Sequence, residues 1–268
     1  MPTVQLSDFE MHYVERGQGD ETLVLVAGFI STQRWWRPIL ERLPAGFRAY
    51  ALDMRAAGGS EQIESGHNVA RYAADVHEFV EAMGLSRFVL VGHSMGGGVA
   101  MQYALDHQDR LKALILANPL APYGMRIDQA TTDWINSVQG QAAGQRMMLL
   151  GGHGTPPPEA DLEELVTDAV AWGKAMYQGM MDDMARFDVS DRLNELNVPT
   201  LVTWGDRDRV IPFAGIMDVF TKISGCGLEV WHGVGHHLPR ERPDWFVELL
   251  GRFAASRGSA ATRADRQK

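Results

Sequence analysis

Ser94, a serine between two glycines, is the residue whose type and position point most clearly to chemistry. It lies in Gly92-His93-Ser94-Met95-Gly96, where an apolar run meets a helical pattern. Three interpretations compete: a reactive hydroxyl, a phosphate-binding glycine loop, and a tight turn that needs small residues. A P-loop needs a lysine after its glycines, and a dinucleotide-binding loop needs GxGxxG, so neither phosphate loop fits. GxSxG between a strand and a helix instead indicates a nucleophile elbow, a strained turn that exposes the serine hydroxyl.

A reactive serine needs a base, and the base needs a group that orients it. Among nine histidines, His236 is favoured because it follows the last apolar run, in a loop at the edge where parallel strands gather ligands. His232 and His237 are its rivals. The preceding run is followed by "TWGDRDRVIP", which offers Asp206 and Asp208 as the orienting acid, although either could instead form a turn or cap a helix. The order serine, aspartate, histidine along the chain agrees with one hydrolase architecture.

Apolar runs alternate with helical patterns along most of the chain, and this alternation must position those residues. Near-continuous apolar strands indicate burial on both faces, as in a parallel sheet covered by helices. The pattern therefore predicts an α/β fold with right-handed crossovers. The predicted strands are Thr22–Ala27, Phe47–Leu52, Phe88–Val91, Ala113–Ala117, Thr200–Trp204 and Leu228–Trp231, with "FEMHYVE" as an antiparallel edge partner. The predicted helices are Val69–Met83, Met95–His107, Pro212–Ile223 and Pro243–Ser256.

One interval, from Leu120 to about Leu196, contains helical patterns and no convincing strand. It surrounds "GGHGTPPPEA", whose prolines suit the start of a helix. We expect a helical insertion on the sheet rather than an independent domain. The predicted organisation is a core of residues 1–119 and 197–256, a cap of residues 120–196 and a flexible tail of residues 257–268.

Bulk properties exclude several classes of protein. A chain of 268 residues with 45% hydrophobic and 22% charged residues is typical of a globular protein. The net charge of -9 and the lack of a basic stripe before the tail argue against nucleic acid as a partner. Cys226 is the single cysteine, which excludes an intramolecular disulfide and a multi-cysteine zinc site. With no signal pattern and no run long enough for a membrane span, we expect a cytoplasmic protein. The oligomeric state, including a homodimer, is left open.

The motifs together resemble the α/β-hydrolase superfamily, from about Leu6 to Phe253. The segments that carry the resemblance are "VLVAGF", "LDMRAAGGS", "VGHSMGG", "WGDRDRVIP" and "GHHLPRERP". The resemblance implies a mostly parallel eight-stranded sheet flanked by helices, with a helical cap inserted after strand 6. It also implies that no metal or organic cofactor is required.

The resemblance also narrows the choice of site residues. The family's acid often stands four residues before a proline, which favours Asp208 over Asp206. Its histidine typically opens G-H-x-x-x-x-E-x-P, which favours His236 together with Glu241. Backbone N–H groups of Phe29 and Met95 are implied to form an oxyanion hole.

Two departures from the family pattern concern the loops around the site. Ala27-Gly28 stands where the family commonly has His-Gly, which weakens the inference about the geometry of the oxyanion loop. "DMRAAGGS" departs from the family's D-x-R-G-x-G-x-S, although Asp53, Arg55, Gly59 and Ser60 fit. Backbone donors survive a side-chain change, so we still expect an oxyanion hole.

The expected reaction is acyl transfer to water, by an acyl-enzyme on a small and largely apolar ester or lactone. Methionines and a tryptophan recur every four residues from position 172, which predicts either packing of the cap on the core or an adaptable apolar pocket. The pocket candidates are Trp35, Met125, Trp134, Trp172, Met176 and Met180.

Other functions remain open at this stage, among them amide hydrolysis and acyl or peracid exchange. A hydrolase of carbon–carbon bonds in vinylogous diketones uses the same fold and triad, but "GHHLPRE" lacks a tryptophan often seen after that group's histidine. A ligand receptor on a hydrolase fold would turn its ligand over slowly if at all. Aspartate-nucleophile relatives are disfavoured because the nucleophile position holds a serine.

Overall fold

A computed structural model describes residues 2–264, and its centre is one eight-stranded sheet. The strand order is β1-β2-β4-β3-β5-β6-β7-β8, in which β2 runs antiparallel to β1 and β4 and all other neighbours are parallel. The strands are β1 (Thr3–Gln5), β2 (Glu10–Gly17), β3 (Glu21–Val26), β4 (Phe47–Leu52), β5 (Phe88–His93), β6 (Leu111–Ala117), β7 (Thr200–Gly205) and β8 (Gly227–Trp231). The predicted fold class is confirmed.

The apolar runs occupy the middle of the sheet because both faces of these strands are covered. Every residue of β5 is buried, and β5 pairs with β3 and β6. Val26 is paired with Gly92, and Gly92 with Leu116, so the ends of β3, β5 and β6 are level. The loops that follow these strands therefore open at the same edge of the sheet, where open α/β sheets bind ligands.

Helices cover the sheet at the predicted positions. Asn68 caps α2, its side chain accepting a hydrogen bond from the Arg71 N–H, as expected for a helix N-cap. The helices outside the cap are α1 (Arg37–Leu40), α2 (Val69–Ala82), α3 (Met95–His107), α8 (Phe213–Lys222), α9 (Leu238–Glu241) and α10 (Pro243–Ala264). Helix α10 extends into the segment predicted as a tail, whose last four residues lie outside the described part of the chain. No described helix is long and apolar enough to cross a membrane.

Residues 120–196, which we call the cap, contain helices and a short 3₁₀ turn but no strand within the described chain. Helix α6 begins directly after Pro158, as the proline-rich loop predicts. Polar contacts hold the cap on the core: Arg34 Nη1 donates to Asp168 at 2.8 Å, and the Val69 N–H donates to Asp183 at 2.7 Å. The cap helices are α4 (Gln129–Ser137), α5 (Ala142–Gly152), α6 (Glu159–Val170) and α7 (Lys174–Arg186).

Candidate active site

Ser94 occupies the turn between β5 and α3 in a conformation that L-residues rarely adopt, with φ 55° and ψ -123°. The flanking glycines are required by close backbone contacts. A Cβ at Gly92 would lie 2.2 Å from the Gly96 carbonyl oxygen, and one at Gly96 would lie 2.4 Å from that of Val26. The strained turn therefore depends on both glycines of GxSxG, and such strain is typical of functional sites.

Ser94, His236 and Asp208 come from three separate loops and form one chain of hydrogen bonds. The Ser94 Oγ lies 2.8 Å from His236 Nε2, and His236 Nδ1 lies 2.9 Å from Asp208 Oδ2. His236 is 4% exposed, so little water competes for these contacts. With Nδ1–H donating to the carboxylate, Nε2 is left as the acceptor for the serine proton. The arrangement can activate a serine hydroxyl and stabilise the imidazolium that forms.

The Asp208 carboxylate is held by more groups than the histidine alone. Its Oδ2 also accepts a hydrogen bond from Asn118 Nδ2 at 2.8 Å, and its Oδ1 accepts from the N–H groups of Val210 and Ile211 at 2.7 and 2.9 Å. Burial raises the pKa of this carboxyl, but the attraction of His236 and the hydrogen bonds outweigh burial and lower the pKa below its ordinary value. Asp208 is thus kept ionised.

The rival acid and histidines have other partners. The Asp206 carboxylate contacts exposed His232 at 2.5 Å and accepts from the Gly233 N–H at 2.7 Å, so it shapes the turn after β8. His237 is buried beside His153. The two rings are nearly perpendicular, with centroids 4.1 Å apart and the two Nδ1 atoms 2.7 Å apart. Burial lowers the pKa of His237 well below its ordinary value, and burial lowers that of His153 to about 4.

The backbone of His236 is fixed from both sides. Its N–H donates to the carbonyl oxygen of Gly152 in the cap at 2.7 Å, and its own carbonyl oxygen lies 3.0 Å from His93 Nε2. The His93 ring stacks on Trp35, with centroids 4.5 Å apart and planes 21° apart. Burial lowers the pKa of His93 well below its ordinary value, so this ring remains a neutral donor. Asn118, His93 and Gly152 are positioning residues that the sequence patterns did not identify for this role.

The implied oxyanion donors are Phe29, in the loop after β3, and Met95, which follows Ser94 in the chain. Met95 is the first residue of α3, where N–H groups have no partner within the helix. The Phe29 N–H has no acceptor among the described residues. A Cβ at Gly28 would lie 3.0 Å from the Ser94 Cβ, so glycine allows this loop to approach the serine closely despite the change from histidine to Ala27.

Asp53, in the landmark "LDMRAAGGS", ties the oxyanion loop to the core. Its Oδ1 accepts from the Gln33 N–H at 2.6 Å, while its Oδ2 contacts His12 Nδ1 at 2.6 Å and accepts from the Gly59 N–H at 2.9 Å. A Cβ at Gly58, whose φ is +56°, would overlap the same carboxylate. This segment therefore holds the oxyanion loop in place and does not line the cavity beside Ser94.

A small cavity of about 100 Å³ opens beside Ser94. Helix α5 of the cap contributes Met148 and Leu149, and Val210 closes the side next to the acid loop. The apolar wall means that the cavity suits an apolar group held next to the serine. The lining residues are Gly28, Phe29, Ile30, Ser31, Trp35, His93, Ser94, Met148, Leu149, Val210, His236 and His237.

Of the six pocket candidates, the structure brings only Trp35 to this cavity. Trp172 lies behind it, packed edge-on against the Phe29 ring at 5.2 Å. Met176 and Met180 are buried in the hydrophobic core, as the cap-packing alternative predicts. Met125 packs against that core, and Trp134 is exposed on the surface at 40%. The methionine row of α7 thus packs the cap on the core, and α5 provides the pocket wall.

Within residues 2–264, no group of three or more histidine, cysteine, aspartate or glutamate side chains is placed to hold a metal ion. The groups beside the cavity that can take part in a reaction are the Ser94 hydroxyl, the His236 imidazole and the backbone N–H donors.

The chain is similar in sequence and in fold to several known proteins. A non-heme haloperoxidase of Rhodococcus erythropolis is 28% identical over 257 residues, covering 89% of this chain and 93% of that protein. The 2-hydroxy-6-oxo-6-phenylhexa-2,4-dienoate hydrolase of Comamonas testosteroni is 27% identical, covering 94% and 93%. An esterase structure from Exiguobacterium antarcticum shares the fold with a TM-score of 0.87 at 23% identity, over 94% of this chain and 98% of that one.

A family model described as serine aminopeptidase, S33, matches residues 17–243, which is most of the chain and includes all three residues of the hydrogen-bonded chain at Ser94. The protein is therefore a hydrolase of the α/β type and belongs to the S33 family within the α/β-hydrolase superfamily.

Proposed function

We propose that this protein is a serine hydrolase that cleaves a carboxylic ester or lactone through an acyl-enzyme. The observation that carries the proposal is the continuous chain of hydrogen bonds from Ser94 Oγ through His236 to the buried carboxylate of Asp208. Ser94 also lines an apolar cavity. A serine at this position with no base would be a poor nucleophile, and a turn serving only the fold would need neither partner.

The reaction starts when His236 Nε2 takes the proton of Ser94 as its oxygen attacks the carbonyl carbon. The N–H groups of Phe29 and Met95 stabilise the negative oxygen of the tetrahedral intermediate, each contributing roughly 2.7–4 kcal/mol. His236 then gives the proton to the leaving alkoxide, and the carbon–oxygen bond breaks. Water repeats the sequence, with His236 as base, and releases the acid. Asp208 holds the imidazole in the required tautomer throughout.

The cavity volume favours a short acyl group. A cavity of about 100 Å³ is small beside the roughly 300–1,000 Å³ of typical ligand pockets, which favours a short acyl chain. Phe29 closes the back of the cavity against Trp172 and Tyr177, with ring centroids 5.2 and 4.7 Å apart. We therefore expect acetyl- to butyryl-sized groups to react faster than octanoyl.

A second candidate, hydrolysis of a carbon–carbon bond in a vinylogous diketone, is favoured by the Comamonas testosteroni relative, which is named for such a reaction. That substrate is long and carries an acidic enol, whereas the cavity at Ser94 is small and largely apolar. Ester or lactone cleavage therefore remains the first proposal.

The test is a panel of aryl esters with graded acyl chains, assayed beside lactones, an amide and a dienone diketone. Ser94→Ala serves as the control for background hydrolysis. Turnover of short esters that disappears in Ser94→Ala supports the proposal. Preferential cleavage of the diketone would favour the second candidate, and turnover of none of the compounds would favour a ligand receptor.

A further inference from the structure

The end of cap helix α5 rests directly on the loop that carries His236. Three glycines, Gly152, Gly154 and Gly235, allow this contact. A Cβ at Gly235 would lie 2.3 Å from the Gly154 nitrogen and 2.5 Å from the Gly152 carbonyl oxygen. At this distance the His236 N–H donates to the Gly152 carbonyl oxygen at 2.7 Å. The backbone of the histidine is therefore hydrogen-bonded to the cap.

One carboxylate bridges the loop that carries His236 and the loop that follows α5. Glu241, at the end of the short helix α9, accepts a hydrogen bond from the Gly235 N–H on Oε1 at 3.0 Å. Its Oε2 accepts from the N–H groups of Gly154 and Thr155 at 3.0 and 2.9 Å. An ionised carboxylate has an acceptor for all three donors, and bonds to a charged acceptor are the stronger kind.

Cap helix α5 also reaches the cavity beside Ser94. Met148 and Leu149 of α5 line the space beside Ser94, and the helix ends at Gly152. The Leu149 carbonyl oxygen lies 2.7 Å from His153 Nδ1, and His153 contacts His237. One short segment of the cap thus lines the cavity beside Ser94 and is hydrogen-bonded to the backbone of His236.

We propose that Glu241 is a positioning residue that couples the cap to the catalytic base, by fixing the His236 loop against the end of α5. This inference rests on the proposed function. Because misplacement of a reacting group by about 1 Å can cost 10²-fold in rate, releasing the loops slows the step that His236 performs. Ground-state binding in the cavity changes less, because the partners of the Glu241 carboxylate, Gly154, Thr155 and Gly235, do not line the cavity.

Glu241→Gln is the informative variant because the amide keeps the size of the side chain and replaces one acceptor oxygen with a donor. It can satisfy one loop but not both. Glu163→Gln is the matched control: Glu163 pairs with Arg146 of α5 on the exposed surface and touches neither loop. The measurements are kcat and KM on a short aryl ester, the rate and final extent of labelling by a fluorophosphonate, and hydrogen exchange of the backbone amides at residues 152–155 and 235.

We expect Glu241→Gln to lower kcat and the labelling rate by about 10- to 100-fold, with KM little changed and with every molecule labelled in the end. Amides at residues 154, 155 and 235 should exchange faster than in Glu163→Gln, which should behave as the unmodified protein. A lower final extent of labelling would mean a misfolded fraction and would overturn the proposal, as would an unchanged labelling rate.

Failure of the proposed function is separable from failure of this inference. If the unmodified protein hydrolyses no ester in the panel, the proposed function fails. Labelling rate and amide exchange still report whether Glu241 positions His236, because neither needs an ester substrate.

Discussion

Asp206 and Asp208 lie two positions apart in one loop, yet their carboxylates meet different partners. Asp208 contacts His236 and accepts three further hydrogen bonds, whereas Asp206 contacts exposed His232 and the Gly233 N–H. The sequence alone offered both, and only the spacing to Pro212 in related proteins distinguished them. Asn118 was not predictable, because a single polar residue after a strand says nothing of a partner far along the chain.

Replacing each acid by its amide tests this difference. Asp208→Asn should lower kcat by about 10⁴-fold, because an amide in place of the carboxylate favours the wrong tautomer of the histidine. Asp206→Asn should leave kcat within a few-fold of the unmodified protein. Steady-state kinetics on one aryl ester decides the matter, and equal losses in the two variants would contradict the assignment.

At the scale of elements, strands and the serine turn follow from local patterns, whereas the substrate cavity depends on how the cap docks. Continuous apolar runs and glycine spacing identified β5, α3 and the turn between them, since burial on both faces and backbone overlap act locally. Helices α5 and α7 both carry apolar side chains on one side, and periodicity does not say which of the two helices lines the cavity. The structure places the methionines of α7 in the core and Met148 of α5 beside Ser94.

Truncating the cavity wall should change acyl-chain preference. Met148→Ala removes a flexible side chain from the space beside Ser94, so relative kcat/KM should shift toward hexanoyl and octanoyl esters. One to three kcal/mol, or about 10- to 200-fold, is the usual range for such pocket changes. Met147→Ala is the control, since Met147 is 62% exposed and does not line the cavity. An unchanged chain-length profile in Met148→Ala would show that α5 does not limit the acyl group.

The glycine of the serine turn should tolerate no side chain. Gly96→Ala puts a Cβ 2.4 Å from the Val26 carbonyl oxygen, and overpacking of this kind lowers the free energy of unfolding by about 1–3 kcal/mol. In contrast, a Cβ at Gly151 in α5 meets nothing within 4 Å. Gly151→Ala should therefore raise stability by up to about 1 kcal/mol, through helix propensity. Urea unfolding measures both, and equal stability of the two variants would refute the steric argument.

At the scale of the whole molecule, buried neutral histidines make stability depend on pH. Burial lowers the pKa of His153 from 6.5 to about 4 and lowers those of His93 and His237 well below their ordinary value. Between pH 6.5 and pH 4 the unfolded chain therefore binds more protons at these histidines than the folded chain does. The free energy of unfolding falls as the pH falls through this range. Asp75 and Asp168, whose pKa values are raised by burial, act in the opposite direction.

A variant isolates the histidine contribution from that of the carboxylates. Between pH 7 and pH 5 the unmodified protein should lose about 1–2 kcal/mol more unfolding free energy than His153→Gln, which has no titrating ring at this position. Urea unfolding at the two pH values provides the comparison. The same loss in both proteins would mean that His153 is not kept neutral by the fold.

The central claim is that Ser94 is a nucleophile activated by His236. The most direct measurement is the mass of the protein after brief exposure to a fluorophosphonate, with the modified peptide identified in the unmodified protein, in Ser94→Ala and in His236→Ala. The account predicts one adduct on Ser94, none in Ser94→Ala, and labelling in His236→Ala slowed by several orders of magnitude. An adduct on another residue, or labelling in His236→Ala as fast as in the unmodified protein, would contradict it.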